Sequence, residues 1–207
     1  MATPLIQFVG DDNLFITQAT VSKLLIQNQE SVTNKPKDII DLNALETALN
    51  SNPMIKQAQV FMSVDGLITA NVEQKKPIAR VSTNASYYID DEGSYMPLST
   101  NYSARVPLVT GAIKKNNLSN VFTMAQKVRA DEFLKKHVIE IHQNEDQSID
   151  LRLRNMDFKV HLGRLNLLEK KINNLKAFYL KAKKDNALDN YSVVNLKFDK
   201  QVICTKK

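Results

Sequence analysis

This 207-residue chain has one cysteine, Cys204, and five glycines. A lone thiol excludes an intramolecular disulfide but leaves the redox compartment open, since an extracytoplasmic domain need not be disulfide-bonded. So few glycines argue against a glycine-rich phosphate-binding fold. No apolar run is long enough to span a membrane, and no signal-peptide pattern opens the chain. Enzyme signatures are missing as well. There is no Gly-x-Ser-x-Gly elbow, no pair of histidines at the i, i+4 spacing of a helical zinc site, and no EF-hand alternation of oxygen ligands around Asp90, Asp91 and Glu92. Those three acids are expected to form a turn. His137, His142 and His161 are the only imidazoles, and the last two alternate with apolar neighbours and are expected at the surface. Cys204 reads as a strand residue, not a nucleophile. No catalytic residue, metal ligand or cofactor is assigned.

Hydrophobic residues make up 43% of the chain and charged residues 24%, the composition of a soluble globular protein with room for one large domain or two small ones. Its net charge of +6 is unevenly spread. Residues 1–80 carry 7 basic against 8 acidic residues, whereas residues 131–207 carry 16 against 11. Between Arg164 and Lys184, 7 basic residues meet only Glu169. Such a stripe can attract nucleic acid or anionic headgroups. Its only aromatics, the adjacent Phe178 and Tyr179, do not alternate with the basic residues as a stacking surface would, so it is expected to be a solvated helix face.

Along the chain, residues 1–80 read as β-α-α-β-β. Leu5 to Val9 is a short apolar run, and Thr17 can cap a helix with Val21, Leu24 and Leu25 on one face. A polar connection over 28–38 leads to a second helix. In it Asn43 and Glu46 have capping-box spacing, and Leu42, Leu45 and Leu49 form the stripe. Two strands follow, with Ala58, Val60, Met62 and Val64 inward on the first and Ile68, Ala70 and Val72 inward on the second. Asp65-Gly66 marks the hairpin between them. Pro77 marks the exit into a larger α+β unit. That unit has a strand over 86–89 turning at Gly93, a helix carrying Leu118, Val121, Phe122, Ala125 and Val128, and a three-strand meander. The inward sets of the meander are Ile139/Ile141, Ile149/Leu151/Leu153 and Phe158/Val160/Leu162. Gly163 ends the third strand. A long helix then carries Leu165, Leu168, Ile172, Leu175 and Tyr179 inward. One final strand is expected in "YSVVNLKFDKQVIC", with Val194, Leu196 and Phe198 alternating against Asn195, Lys197 and Asp199. Pattern alone leaves open whether that strand is paired on both sides or offers a free edge.

Three stretches, in order, carry a family resemblance: "VEQKKPIARV", "YYIDDEGSYMPLS" and "VPLVTG". Glu73, Lys76, Pro77, Ile78 and Ala79, then Tyr88, Asp90 and Gly93, then Pro107, Leu108 and Gly111 resemble the successive motifs of the FtsQ/DivIB family of bacterial cell-division proteins. "SVVNLKFDKQVI" is similar to that family's Val-Asp-Leu-Arg-Tyr strand, with Asn195, Lys197 and Phe198 in place of Asp, Arg and Tyr. "VHLGRLNLLEKKINNL" resembles its Leu-Gly and lysine-rich helix. The wording looks most like the Bacteroidetes branch. The resemblance implies an α+β protein: an N-terminal POTRA module (β-α-α-β-β, residues 1–78), then a larger mixed α/β "β domain" with a mainly antiparallel sheet (79–207), jointed at Pro77. It also implies a non-enzymatic divisome scaffold, anchored in the inner membrane by an N-terminal helix absent here, with this part on the periplasmic side.

The partners implied are the FtsB- and FtsL-like bitopic coiled-coil division proteins, with the POTRA module as a possible second surface towards other divisome or peptidoglycan-synthesis proteins. The expected contact is strand addition at the C-terminal strand, through Val193, Val194, Asn195, Leu196, Lys197, Phe198 and Lys200. Lys197 would meet a partner carboxylate, and Phe198 would supply apolar area. Lysine in place of arginine loses the bidentate fork, and phenylalanine in place of tyrosine loses a hydroxyl. Two other readings fit parts of the sequence. One is a POTRA-bearing component of outer-membrane protein assembly or secretion, although no barrel strands follow the single module. The other is a basic nucleic-acid-binding domain, whose affinity would fall steeply with salt. With the stripe taken as a solvated face, no nucleic-acid partner is expected.

Overall fold

The computed structural model describes residues 4–10, 13–30, 40–198 and 201–207. Most of the polar connection expected over 28–38 lies outside them. The chain divides into two compact units. The first holds residues 1–76 and 95–104, the second 77–94 and 105–207. The stretch Tyr95–Ala104, which a single boundary near Pro77 would place in the larger domain, therefore groups with the first unit. No helix among the described residues is long and apolar enough to cross a membrane.

The first unit runs β1 (Leu5–Val9), α1 (Gln18–Glu30), α2 (Leu42–Asn50), β2 (Ile55–Met62) and β3 (Ile68–Gln74). Its sheet has the order β1-β3-β2, with β1 parallel and β2 antiparallel to the central strand. Thr17 Oγ1 accepts the Thr20 N–H at 3.2 Å and so caps α1. The second cap differs from the sequence expectation. Asp41, not Asn43, precedes α2, and its carboxylate accepts the Ala44 N–H at 2.9 Å. Glu46 instead reaches across to accept the Val60 N–H at 2.9 Å, tying α2 to β2. Ile6, Val21, Leu25, Leu45, Leu49, Ala58, Val60, Ala70 and Val72 form the core. Met62 and Val64, expected inward, are exposed where β2 runs into its turn. There Gly66 takes φ +81°, and its N–H donates to Ser63 O.

Residues 95–104 open with the two-residue strand β6 (Tyr95–Met96) and then close over Phe15. Ser99 Oγ and Asn101 Nδ2 donate to Phe15 O at 2.6 and 3.1 Å, and the Tyr102 ring meets the Phe15 ring edge-on at 5.3 Å.

In the second unit, β4 (Pro77–Ser82) and β5 (Ser86–Asp90) form a hairpin, followed by β7 (Leu108–Gly111), α3 (Ser119–Ala130) and α4 (Glu132–His137). Then come β8 (Val138–Gln143), β9 (Ile149–Leu153), β10 (Lys159–Gly163), α5 (Leu168–Lys184), a 3-10 turn at Leu188–Asn190, β11 (Tyr191–Asn195) and β12 (Ile203–Lys206). The strands lie in the order β12-β11-β10-β9-β8-β7-β4-β5. The β8-β9-β10 meander and the two hairpins are antiparallel, while β4/β7, β7/β8 and β10/β11 are parallel. Asp90 shapes the β5 turn, its carboxylate accepting the N–H groups of Glu92 and Ser94 at 3.0 and 2.7 Å. Alternation places Val109, Ile141, Ile149, Leu151, Val160, Leu162, Val194 and Leu196 in one core with Val121, Met124, Ile172 and Leu175 of the helices. Ile139 departs from its expected place. A register shift between Val138 and Glu140 turns Val138 inward and leaves Ile139 part-exposed.

Candidate partner-binding edge

The run expected to form one terminal strand is two. β11 ends at Asn195, where Asn195 Oδ1 accepts the Lys197 N–H at 3.0 Å in an Asx turn, and the chain returns as β12. β11 is consequently interior, parallel to β10 on one side and antiparallel to β12 on the other. The four residues Ile203–Lys206 occupy the sheet edge, and Val193–Asn195 of the expected strand lie inside it.

Each expected contact residue now has a defined place. Leu196 N–H donates to His161 O at 2.8 Å, so by alternation Val194 also faces β10, and both side chains are buried. Val193 and Asn195 face β12, in register with Thr205 and Ile203. Phe198 is 46% exposed just beyond the turn. Lys197 is exposed, and Lys200 lies outside the described residues. Pro77 is the first residue of β4 and pairs with Asp90.

The open side of the edge belongs to residues that the sequence reading did not single out. Lys207 N–H donates to Asn190 O at 2.9 Å and so faces β11. Alternation turns Thr205 and Ile203 the same way and leaves the N–H groups of Cys204 and Lys206 on the open side. Ile203, 41% exposed, adds apolar surface. Burial pushes the Cys204 thiol above its ordinary value. Lys206 and Lys207 make this rim basic, with Lys207 Nζ bonded to Asp157 at 2.8 Å. Only the second half of "QVICTKK", treated as a strand in its own right, could have revealed these donors.

The three histidines have ordinary partners. Nδ1 of His161 meets Asp150 at 2.8 Å, that of His142 meets Thr110 Oγ1 at 2.8 Å, and the His137 ring stacks on Phe133. Among the described residues no group of three His, Cys, Asp or Glu side chains could hold a metal ion. The basic helix α5 buries Ile172, Leu175 and Tyr179 and leaves Lys170, Lys181, Lys183 and Lys184 exposed.

Comparison with protein families gives two matches. A family described as FtsQ/DivIB, C-terminal related, matches residues 76–205, and one described as a POTRA-like domain matches residues 10–73. No curated protein matches the chain.

Proposed function

The chain belongs to the FtsQ/DivIB C-terminal-related family, and from that membership we propose that it is a non-enzymatic scaffold of cell division that receives a partner segment along β12. The reading places it on a membrane-anchored division protein of the inner membrane, with these two units on the periplasmic side. The partners are FtsB- and FtsL-like bitopic coiled-coil proteins. The POTRA-like unit offers a second surface to other division or wall-synthesis proteins.

The observation that carries the reading is the outer edge of β12, where among the described residues no strand lies beside the N–H groups of Cys204 and Lys206. Backbone pairing there supplies generic attraction, while Ile203, Phe198 and the basic rim of Lys206 and Lys207 select the incoming sequence. The first unit also has edges, at β1 and β2. The FtsQ/DivIB-related match spans residues 76–205, the second unit, which carries β12 but not β1 or β2.

The test is binding to the extracytoplasmic part of the same organism's FtsB-like protein, wild type beside Lys206→Pro. Proline at 206 removes an open-side donor and leaves the β11–β12 ladder intact. Loss of one such bond weakens binding about tenfold. Equal binding by a folded variant moves the site elsewhere. No binding by the wild type, with or without the FtsL-like protein, rejects the partner assignment.

A further inference from the structure

Gly163 ends β10 at φ +76° and is buried, although it sits at a strand end. What buries it is Lys197. A Cβ at position 163 would stand 2.9 Å from Lys197 Cγ, 3.6 Å from its Cδ and 3.7 Å from its Cβ. Those distances place the lysine stem flat across the glycine. The crowding atom is the second carbon of the stem, not its mobile end, so a side chain at 163 must move the whole lysine.

Three features give that stem its direction. The hydrogen bond from Leu196 N–H to His161 O holds the preceding residue on the β10 ladder, and the Asx turn at Asn195 then bends the chain. The register shift in β10 between His161 and Gly163 brings the glycine under the bend. Beyond it Lys197 lines a cleft of about 400 Å³ with Asn144, Glu145, Asp146, Ser148, Asp150 and His161. Asp146 accepts from Ser148 N–H and Oγ at 3.0 and 2.6 Å, and Asp150 is tied to His161. These bonds, chiefly those from Ser148 and then the nearby charges of Lys197 and Arg164, hold the Asp146 carboxyl below its ordinary value.

We propose that Gly163 is a positioning residue for partner recognition: its missing side chain lets the Lys197 stem lie over β10 and directs it into the cleft that Asp146 also lines, where a carboxylate of the incoming segment meets its ammonium. This rests on the reading that the C-terminal hairpin receives the partner, and it changes the expected path of that partner. A strand added outside β12 lies three strand spacings from β10, roughly 14 Å. A carboxylate therefore reaches Lys197 only from a segment that continues past the Asn195/Ile203 end of the hairpin and turns over the end of the sheet. Asp146 competes with it for the same ammonium, so neutralising Asp146 should strengthen the complex.

Two measurements test the assignment. The first needs no partner: the titration of Asp146 followed by NMR in the wild type, Lys197→Ala, Gly163→Ala and Gly163→Asn. Asparagine tolerates positive φ, so it introduces the Cβ with less backbone strain than alanine. If Gly163 aims Lys197, both glycine variants raise the Asp146 midpoint in the same direction as Lys197→Ala. An Asp146 midpoint that stays at its wild-type value in the glycine variants overturns the proposal. The second is a double-mutant cycle on binding of the FtsB-like fragment. Gly163→Asn should weaken binding about fivefold in the wild-type background and less than about twofold in Lys197→Ala, while Asp146→Asn strengthens it. Equal loss in both backgrounds overturns the proposal. Absence of any wild-type binding rejects the partner assignment instead, with the Asp146 titration still deciding whether Gly163 aims Lys197.

Discussion

Gln74 grips Ile16 by both of its backbone polar groups. Its Oε1 accepts the Ile16 N–H at 3.1 Å while its Nε2 donates to Ile16 O at 2.9 Å. The same Oε1 also accepts the Phe15 N–H at 3.0 Å. Gln74 is 3% exposed, so one side chain at the end of β3 satisfies three backbone groups that water cannot readily reach.

Gln74→Leu keeps the volume and removes all three bonds. Leaving buried donors and an acceptor without partners should destabilise the first unit by about 2–4 kcal/mol. Urea unfolding followed separately in each unit checks this. The expected result is an earlier transition for the first unit and an unchanged one for the second. A wild-type midpoint would show that the turn at Phe15–Ile16 finds other partners.

The opposite side of Phe15 is held from far along the chain, by Ser99, Asn101 and Tyr102. Replacing Ser99 and Asn101 together by alanine removes both donors to Phe15 O and should cost the first unit about 1–2 kcal/mol. A fragment ending at residue 78 loses Tyr102 as well and uncovers the Phe15 ring, so its midpoint should fall further still. Melting curves of the three proteins give the order wild type, double variant, fragment. A fragment as stable as the whole chain's first unit would show residues 95–104 to be dispensable.

Asp131 joins three helices. It ends α3, caps α4 by accepting the N–H groups of Phe133 and Leu134 at 3.1 Å each, and takes Lys176 Nζ of α5 at 2.5 Å. Burial pushes its carboxyl up, but the bond from Lys176 and the two backbone donors outweigh this and hold it below the ordinary value. A depressed folded-state pKa contributes stability that is present above the unfolded value, near 4, and lost as pH falls through the folded value. Asp131→Ala should therefore destabilise the second unit by about 1–3 kcal/mol at pH 7, and the gap from wild type should close in strong acid. A gap independent of pH would assign the loss to packing instead of charge.

Where side chains repeat with a clear period and a turn residue stands at the right place, the fold was legible. The hairpin at Asp65-Gly66 and the inward faces of β3, β9, β10 and α5 follow from alternation, helical spacing and glycine at positive φ. What escaped depended on bonds that periodicity does not encode. Alternation of Val194, Leu196 and Phe198 runs straight through the bend where Asn195 Oδ1 takes the Lys197 N–H, so two strands read as one and the edge fell on the wrong residues. The shift between Val138 and Glu140 exchanges the faces of Val138 and Ile139 without changing their hydrophobicity. The return of Tyr95–Ala104 to the first unit rests on contacts about 85 residues apart in sequence.

The strand order makes a last, contrasting pair of variants. Val194 is fully buried, its N–H faces β10, and its register partners are Val160 and Cys204. Proline there removes an interior ladder bond and forces a ring into a packed core, at a cost of about 3 kcal/mol or more. Lys206→Pro removes an open-side N–H and keeps the carbonyl that accepts from Ser192 Oγ at 3.2 Å, so it should change stability by less than about 1 kcal/mol. Urea midpoints of the second unit separate the two outcomes. Val194→Pro would lose partner binding simply by unfolding the sheet, so its loss would say nothing of strand addition. Only a variant that spares the β11–β12 ladder can report on the edge. Should Lys206→Pro prove as damaging as Val194→Pro, β12 could not be the free edge, and the partner would have to enter along another strand.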